Sequence, residues 1–179
     1  MKYVALLRGV NVGGNSLVKM AHLKLCFENM GFSDVITYIN SGNVIFKTDR
    51  ENIKKLVEEV EKALLKDCGF ETKIAIISHD KLKKIVNGVP SLWKRDDVRK
   101  YISFVIPPST VDQVIREIEV RDGIDFVEKG DGVIYMTTLL EGLMKSSFSK
   151  LIGKKIYKEM TMRNFNTGQK ILAIMEKES

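Results

Sequence analysis

The fold is decided by the stretch that opens the chain, Tyr3-Val4-Ala5-Leu6-Leu7-Arg8-Gly9. Its unbroken apolar run predicts a strand in the middle of a sheet, covered on both faces. A loop rich in glycine and asparagine follows, and from residue 20 the apolar residues recur at helical spacing. Gly31 is suited to end this helix, because glycine adopts the left-handed conformation without strain.

The next segments extend this beginning into a recognisable order of elements. Residues 35–39 and 44–46 flank a turn rich in asparagine and glycine, which predicts a hairpin. Thr48 and Glu51 have capping-box spacing ahead of an amphipathic helix. A strand near residue 74 and a short helix near residue 80 come next. The order of strand, helix, strand, strand, helix and strand is that of the ferredoxin-like fold.

The same order returns after a short connection. We therefore expect an α+β protein of two tandem ferredoxin-like βαββαβ halves, residues 1–88 and 98–179, with antiparallel sheets and an extra helix after each half. Residues 89–97 form the predicted linker, which Trp93 anchors by packing. The halves could also form one compact unit. The predicted elements of the second half are strands at 101–106, 124–127, 133–136 and 156–162, and helices starting near residues 110, 147 and 165.

The composition is that of an ordinary globular protein with a basic surface. Of its 179 residues 44% are hydrophobic and 29% charged, which excludes the disordered class. No apolar stretch has the length of a membrane span or a signal-peptide core, so we expect a cytoplasmic protein without a membrane partner. The formal net charge is +6, and residues 1–95 hold 16 basic against 10 acidic residues. A second basic stretch lies within 141–170, and both are compatible with a polyanionic partner.

The loop after the first strand is the strongest candidate for a ligand site. Its glycines let backbone N–H groups turn toward an anion, and the start of the following helix adds a favourable dipole. It is not a Walker-type loop, because the lysine and Ser/Thr of that motif are missing at the required spacing. The alternative is that the glycines only serve a tight turn. The candidate ligand-binding residues here are Arg8, Gly9, Asn11, Gly13, Gly14 and Lys19.

Two further polar segments supply candidate residues. Asn43 belongs to the hairpin turn, whose residue types tolerate positive φ, and this favours a structural role. We expect this hairpin and the glycine-rich loop to lie at opposite edges of the sheet. Near the end of the chain, Asn164 or Asn166 is a good N-cap, whereas the adjacent Arg163 favours a polar binding role. Asn43, Arg163 and Asn164 are added to the candidate ligand-binding residues, with these structural roles as the alternative for the two asparagines.

The cysteines and histidines indicate no metal or redox chemistry by their spacing. Cys26 and Cys68 lie in separate predicted helices, and we expect two reduced thiols that fill space. His22 and His79 are the only histidines, and neither suggests a metal-ligand pattern. We therefore expect no metal and no cofactor, and assign no catalytic residue.

Three separate stretches carry a resemblance to a known family. In these stretches, in this order, the chain resembles the bacterial family known as domain of unknown function 1697. The resemblance implies two ferredoxin-like halves and brings no settled activity. The stretches are Leu6-Leu7-Arg8-Gly9-Val10-Asn11-Val12-Gly13-Gly14, Tyr38-Ile39-Asn40-Ser41-Gly42-Asn43-Val44-Ile45-Phe46 and Thr161-Met162-Arg163-Asn164-Phe165-Asn166-Thr167.

Three classes of function are compatible with these features. The first is binding of a phosphate-bearing or other anionic ligand, a nucleotide or nucleic acid, through the glycine-rich loop and basic surface. The second is an enzyme that holds a small polar substrate in a cleft between the halves, although Asn and Arg cannot serve as the base near neutral pH. The third is a protein-interaction scaffold. Recognition of RNA on the central strands is not expected, because those strands are apolar on both faces.

Overall fold

The computed structural model describes residues 1–11, 18–69 and 71–177. It contains two four-stranded antiparallel sheets with interleaved helices, so the predicted α+β fold in two halves is confirmed. The elements of the first half are β1 (Lys2–Leu7), α1 (Met20–Asn29), β2 (Ser33–Tyr38), β3 (Asn43–Lys47), α2 (Ile53–Cys68), β4 (Ile74–Ser78) and α3 (His79–Asn87). Those of the second half are β5 (Val98–Val105), α4 (Val111–Glu117), β6 (Asp125–Lys129), β7 (Val133–Leu139), β8 (Met160–Asn164) and α5 (Phe165–Glu176).

The first sheet has the ferredoxin-like strand order β2-β3-β1-β4. β1 is central and antiparallel to both neighbours, with Leu6 opposite Asn43 of β3 and Leu7 opposite Ile74 of β4. On one face, alternate side chains of β1 enter a core with apolar side chains from α1 and α2. The members of this core that are buried most completely are Ala5, Leu7, Leu23, Phe27, Val44, Phe46, Val60, Leu64 and Ile74.

The opposite face of the central strands is also covered. Val4 and Leu6 of β1 and Ile45 of β3 are buried, as are Ile102 and Phe104 in the second half. This confirms the expectation from the unbroken apolar runs. RNA-recognition modules stack bases on exposed aromatic side chains of their central strands. The buried central strands of these two sheets do not offer such side chains.

The second sheet repeats the order as β6-β7-β5-β8, but its second crossover differs from the prediction. Residues 140–159 form three successive 3-10 helices, Leu140–Lys145, Ser147–Gly153 and Lys155–Glu159, in place of the predicted α-helix at 147–152. β8 accordingly begins at Met160, later than the predicted start at 156. Short 3-10 turns suit this segment because its serines and glycines interrupt the apolar stripe that a long helix would need.

The N-caps of α4 and α2 were both indicated by local sequence signals, one correctly placed and one not. The capping box of α4 is confirmed, since the Thr110 hydroxyl accepts from the Gln113 backbone and the Gln113 side chain accepts from the Thr110 backbone. α2 begins later than the signal at Thr48, because Asn52 is its N-cap and accepts from the Lys55 backbone N–H. Both helices are thus capped by side chains of the preferred types.

Trp93 anchors the predicted linker. Its ring is buried against Tyr135 and Phe165, and its indole N–H donates to the Thr137 hydroxyl at 2.6 Å. The linker also forms a short 3-10 helix at Ser91–Lys94. The expected packing role of Trp93 is therefore confirmed.

The chain divides into two compact units that each include a sheet. One comprises Met1–Leu82 and Lys170–Ser179, and the other comprises Lys83–Gln169. In the first unit the Lys2 ammonium donates to the backbone carbonyls of Met175 and Lys177, at 2.7 and 3.1 Å. Within the described ranges, no helix combines the length and apolar character needed to cross a membrane.

Asp125 joins the 3-10 crossover to the second sheet. Its carboxylate is buried and accepts from the hydroxyls of Thr138 and Ser146, at 2.9 and 2.6 Å, and from the backbone N–H groups of Ser147 and Arg121, at 2.8 and 3.1 Å. An ionised carboxylate can accept all these bonds, because it offers lone pairs on both oxygens and no donor.

The Asp125→Asn substitution should destabilise the protein by about 3 kcal/mol. The amide NH2 would face donors, so at least one buried N–H or O–H would lose its acceptor. Urea unfolding measures the effect, with Asp122→Asn as the matched control at an exposed turn position. The control should change stability by less than about 0.5 kcal/mol, and equal stability of both variants would contradict the assigned role.

Candidate functional site

Three connections meet at the end of the first sheet where β1 stops. Because β3 and β4 run antiparallel to β1, their first residues lie beside its last ones. The backbone N–H of Leu7 donates to the Gly42 carbonyl at 2.8 Å, and that of Arg8 donates to the Lys73 carbonyl at 3.0 Å. The Thr72 hydroxyl donates to the Arg8 carbonyl at 2.8 Å. The backbone of Arg8 is thus held by hydrogen bonds at this end of the sheet.

The expectation that the glycine-rich loop and the hairpin lie at opposite edges is wrong. The turn between β2 and β3 packs against the end of β1, so closely that a Cβ on Gly42 would lie 2.9 Å from the Cβ of Leu7. Gly42 also has φ of +73°, a conformation that glycine adopts without strain. The physical reason is the antiparallel pairing of neighbouring strands, which brings the end of one strand to the start of the other.

Asn11 holds the two ends of the glycine-rich segment and the hairpin together. Its side-chain N–H groups donate to the carbonyls of Val18 and Asn40, both at 2.9 Å, and its side-chain oxygen accepts from the Val18 N–H at 2.8 Å. Its φ of 55° is left-handed, which asparagine tolerates better than most residues. Asn11 therefore positions the chain that enters α1. The candidates Gly13 and Gly14 lie outside the described residues.

The start of α1 carries a lysine, whereas acidic residues are the ones that favour a helix N-terminus. Lys19 occupies the N-cap and is exposed, and its side chain makes no capping hydrogen bond. The first turn holds no acidic residue among those described. Because a helix N-terminus has a partial positive charge, a lysine there is unfavourable unless negative charge is supplied from elsewhere.

Asn43 is completely buried and serves the hairpin turn. Its side-chain N–H groups donate to the Tyr38 carbonyl and to the Ser41 hydroxyl, both at 3.0 Å. Such bonds satisfy backbone and hydroxyl groups that the turn would otherwise leave open. The side chain of Asn43 therefore faces into the fold at this end of the sheet.

Arg163 and Asn164 belong to the second unit. The buried guanidinium of Arg163 donates to the Thr161 hydroxyl and the Met162 carbonyl, both at 2.9 Å. Burial disfavours its charged form and lowers its pKa from the ordinary value to about 10. Because this pKa is still well above 7, the guanidinium is charged at neutral pH. Asn164 caps the start of α5 by accepting from the Asn166 N–H at 2.9 Å.

The cysteines provide the clearest departure from expectation. Cys26 and Cys68 are joined in a disulfide, so the prediction of two reduced thiols is wrong. The Cys26 sulfur also lies 3.9 Å from His22 Nε2. α1 and α2 pack on the same face of the sheet, which brings together residues 42 apart in sequence.

Folding brings a histidine close to the two cysteines, a grouping that the sequence analysis does not predict. The ligand atoms of His22, Cys26 and Cys68 all lie within 4.8 Å of one another. His22 and Cys26 are four residues apart on α1, a spacing that puts both on one helix face. That spacing was the signal in the sequence that could have identified the group.

The positioning role of Asn11 is open to a direct test. Asn11→Gly removes the side-chain bonds and keeps the left-handed backbone accessible, so it should lower the free energy of unfolding by about 1–2 kcal/mol. Asn11→Ala should lower it by about 1 kcal/mol more, because alanine is strained at positive φ. Urea unfolding of both variants separates the two contributions. Equal stability of wild type and Asn11→Gly would show that the bonds do not hold this end of the sheet.

Comparison with known proteins is consistent with the fold. A family model described as "Protein of unknown function (DUF1697)" matches residues 1–135. The solved structure of the conserved bacterial protein SP0830 from Streptococcus pneumoniae is similar, with a TM-score of 0.86 and 30% sequence identity over 98% of each chain. Among curated proteins, none matches the sequence.

Proposed function

The chain belongs to the DUF1697 family of proteins of unknown function, and from the contacts at the end of its first sheet we propose that it binds a small phosphate-bearing ligand, such as a nucleotide. The ligand's phosphate would lie beside Arg8 and the start of α1. The observation that carries this proposal is the charge at that helix start, where Lys19 is the N-cap and the described first turn has no acid. A phosphate supplies the negative charge that this helix start lacks.

Hydrogen bonds of the described neighbouring residues support this choice. Arg8 is half-buried, and its backbone is bonded to the segment before β4. Asn11 holds Val18, the residue before the helix cap, through two hydrogen bonds. A phosphate bound here would meet cationic groups whose backbone needs little ordering, which lowers the entropic cost of binding.

The covered sheets favour a small ligand over a nucleic-acid strand. Both faces of the described central strands are buried, so bases have no aromatic platform on them. The positive charge of the first half still allows nonspecific attraction to nucleic acid, which should fall steeply with salt. Salt dependence therefore distinguishes the two kinds of ligand.

An enzyme that orients a polar substrate with Asn11 and Asn43 receives no specific support. The side-chain amides of both residues donate to groups within the fold. In this structure both side chains therefore hold the loops at the end of the first sheet. Binding is the function that the described contacts favour.

Thermal melts with pyrophosphate and ATP at fixed ionic strength test the proposal. Either probe should stabilise the wild type by about 2.7 kcal/mol at a concentration 100 times its Kd. Arg8→Ala should abolish this stabilisation, because the guanidinium is the group that can form paired bonds to phosphate oxygens. Lys19→Glu should do the same by placing a negative charge at the site.

Lys54→Glu is the matched control, because Lys54 is exposed on α2 and its reversal changes the net charge by the same amount as that of Lys19. It should keep the wild-type response. An unresponsive wild type, or equal responses in Lys19→Glu and Lys54→Glu, would overturn the site. Binding of a short RNA with a steep loss in salt, without a response to either small probe, would replace the small-ligand proposal by nonspecific attraction.

A further inference from the structure

We propose that the reduced form of this protein binds one zinc ion between α1 and α2 through His22, Cys26 and Cys68. The inference uses none of the groups of the proposed anion site and stands independently of it. Two thiolates and an imidazole form a ligand set that zinc prefers. Three protein ligands leave one position of a tetrahedral ion for water or a further ligand.

The spacing of the two ligands on α1 is close to what such an ion needs. Zinc binds sulfur at about 2.3 Å and imidazole nitrogen at about 2.0–2.1 Å, so a tetrahedral site separates the two by about 3.6 Å. The Cys26 sulfur and His22 Nε2 are 3.9 Å apart. All three ligand atoms lie within 4.8 Å of one another, and the two bonded sulfurs are the pair that must move apart to hold one ion.

The two helices supply the ligands from compatible places. His22 and Cys26 lie one turn apart on α1, and their side chains share a face. Cys68 is the last residue of α2, where the partial negative charge of a helix C-terminus favours a cation. Cys26 is buried and His22 is exposed. The ion would therefore bind a buried thiolate on one side and remain accessible to solvent on the side of His22.

Metal binding and the disulfide exclude each other, because the sulfurs must separate to about 3.8 Å to bind one tetrahedral ion. The Cα atoms of the cysteines are 6.9 Å apart, wider than the separation of about 5.5–6 Å that is commonest in disulfides, which leaves room for the sulfurs to separate. A dithiol reductant would transfer two electrons to the disulfide, become a cyclic disulfide itself and leave two cysteine thiols. Zinc would then displace both thiol protons and form two zinc–sulfur bonds.

The test is titration of the full chain, reduced with a dithiol that is then removed under nitrogen, with Co²⁺ and Zn²⁺. Co²⁺ should bind in a ratio of one to one and give thiolate-to-metal charge-transfer absorption, which Zn²⁺ should abolish. Zinc binding should release two protons, measured with a pH indicator, and raise the melting temperature. The oxidised protein should do none of this.

His22→Gln isolates the third ligand, because His22 is exposed and its loss leaves the core intact. It should weaken zinc binding on the order of 100-fold. His79→Gln is the control for the loss of a histidine elsewhere in the chain and should bind zinc as the wild type does. Absence of charge-transfer absorption, binding to the oxidised protein, or equal affinities of the two histidine variants would overturn the proposed site.

Discussion

The antiparallel pairing of β1 with both β3 and β4 is the constraint on which the first half depends. It fixes a strand buried on both faces at the centre of the sheet. It also brings the end of β1 to the starts of its two neighbours, so that three connections meet at one place. The same arrangement puts α1 and α2 on one face of the sheet. The proposed anion and zinc sites are both consequences of this one pairing.

The two sheets have the same strand order, but different helices connect their third and fourth strands. In the first half, the 16-residue helix α2 connects β3 to β4 and packs on the sheet. In the second, three 3-10 helices occupy the corresponding crossover and are secured by the buried carboxylate of Asp125. A long helix gains its stability from an apolar stripe, whereas short turns need side chains to satisfy their backbone groups. Leu151 and Ile156 of this crossover are still buried in the core, and the Asp125 carboxylate accepts from its polar groups at Ser146 and Ser147.

The strand order could be predicted because each element carries a local signal. The apolar run at 3–7, the glycine-containing turns and the capping box at Thr110 all act within a few residues. Relations across the sheet could not be found in this way. That Cys26 meets Cys68, and that Asn11 bonds to Asn40, depends on which helices and loops are neighbours in space. The crossover at 140–159 departs from the predicted helix because its serines favour capped turns, as Ser146 shows by accepting from the Phe148 backbone N–H.

The assignment of residues 170–177 to the same unit as β1 bears on how the protein is made. A ribosome releases the chain in sequence order, and domains generally begin to fold as their segments emerge. The first sheet can pair early, but Lys2 cannot reach the carbonyls of Met175 and Lys177 until the whole of the other unit has been synthesised. The unit that starts folding first is therefore the one that is completed last.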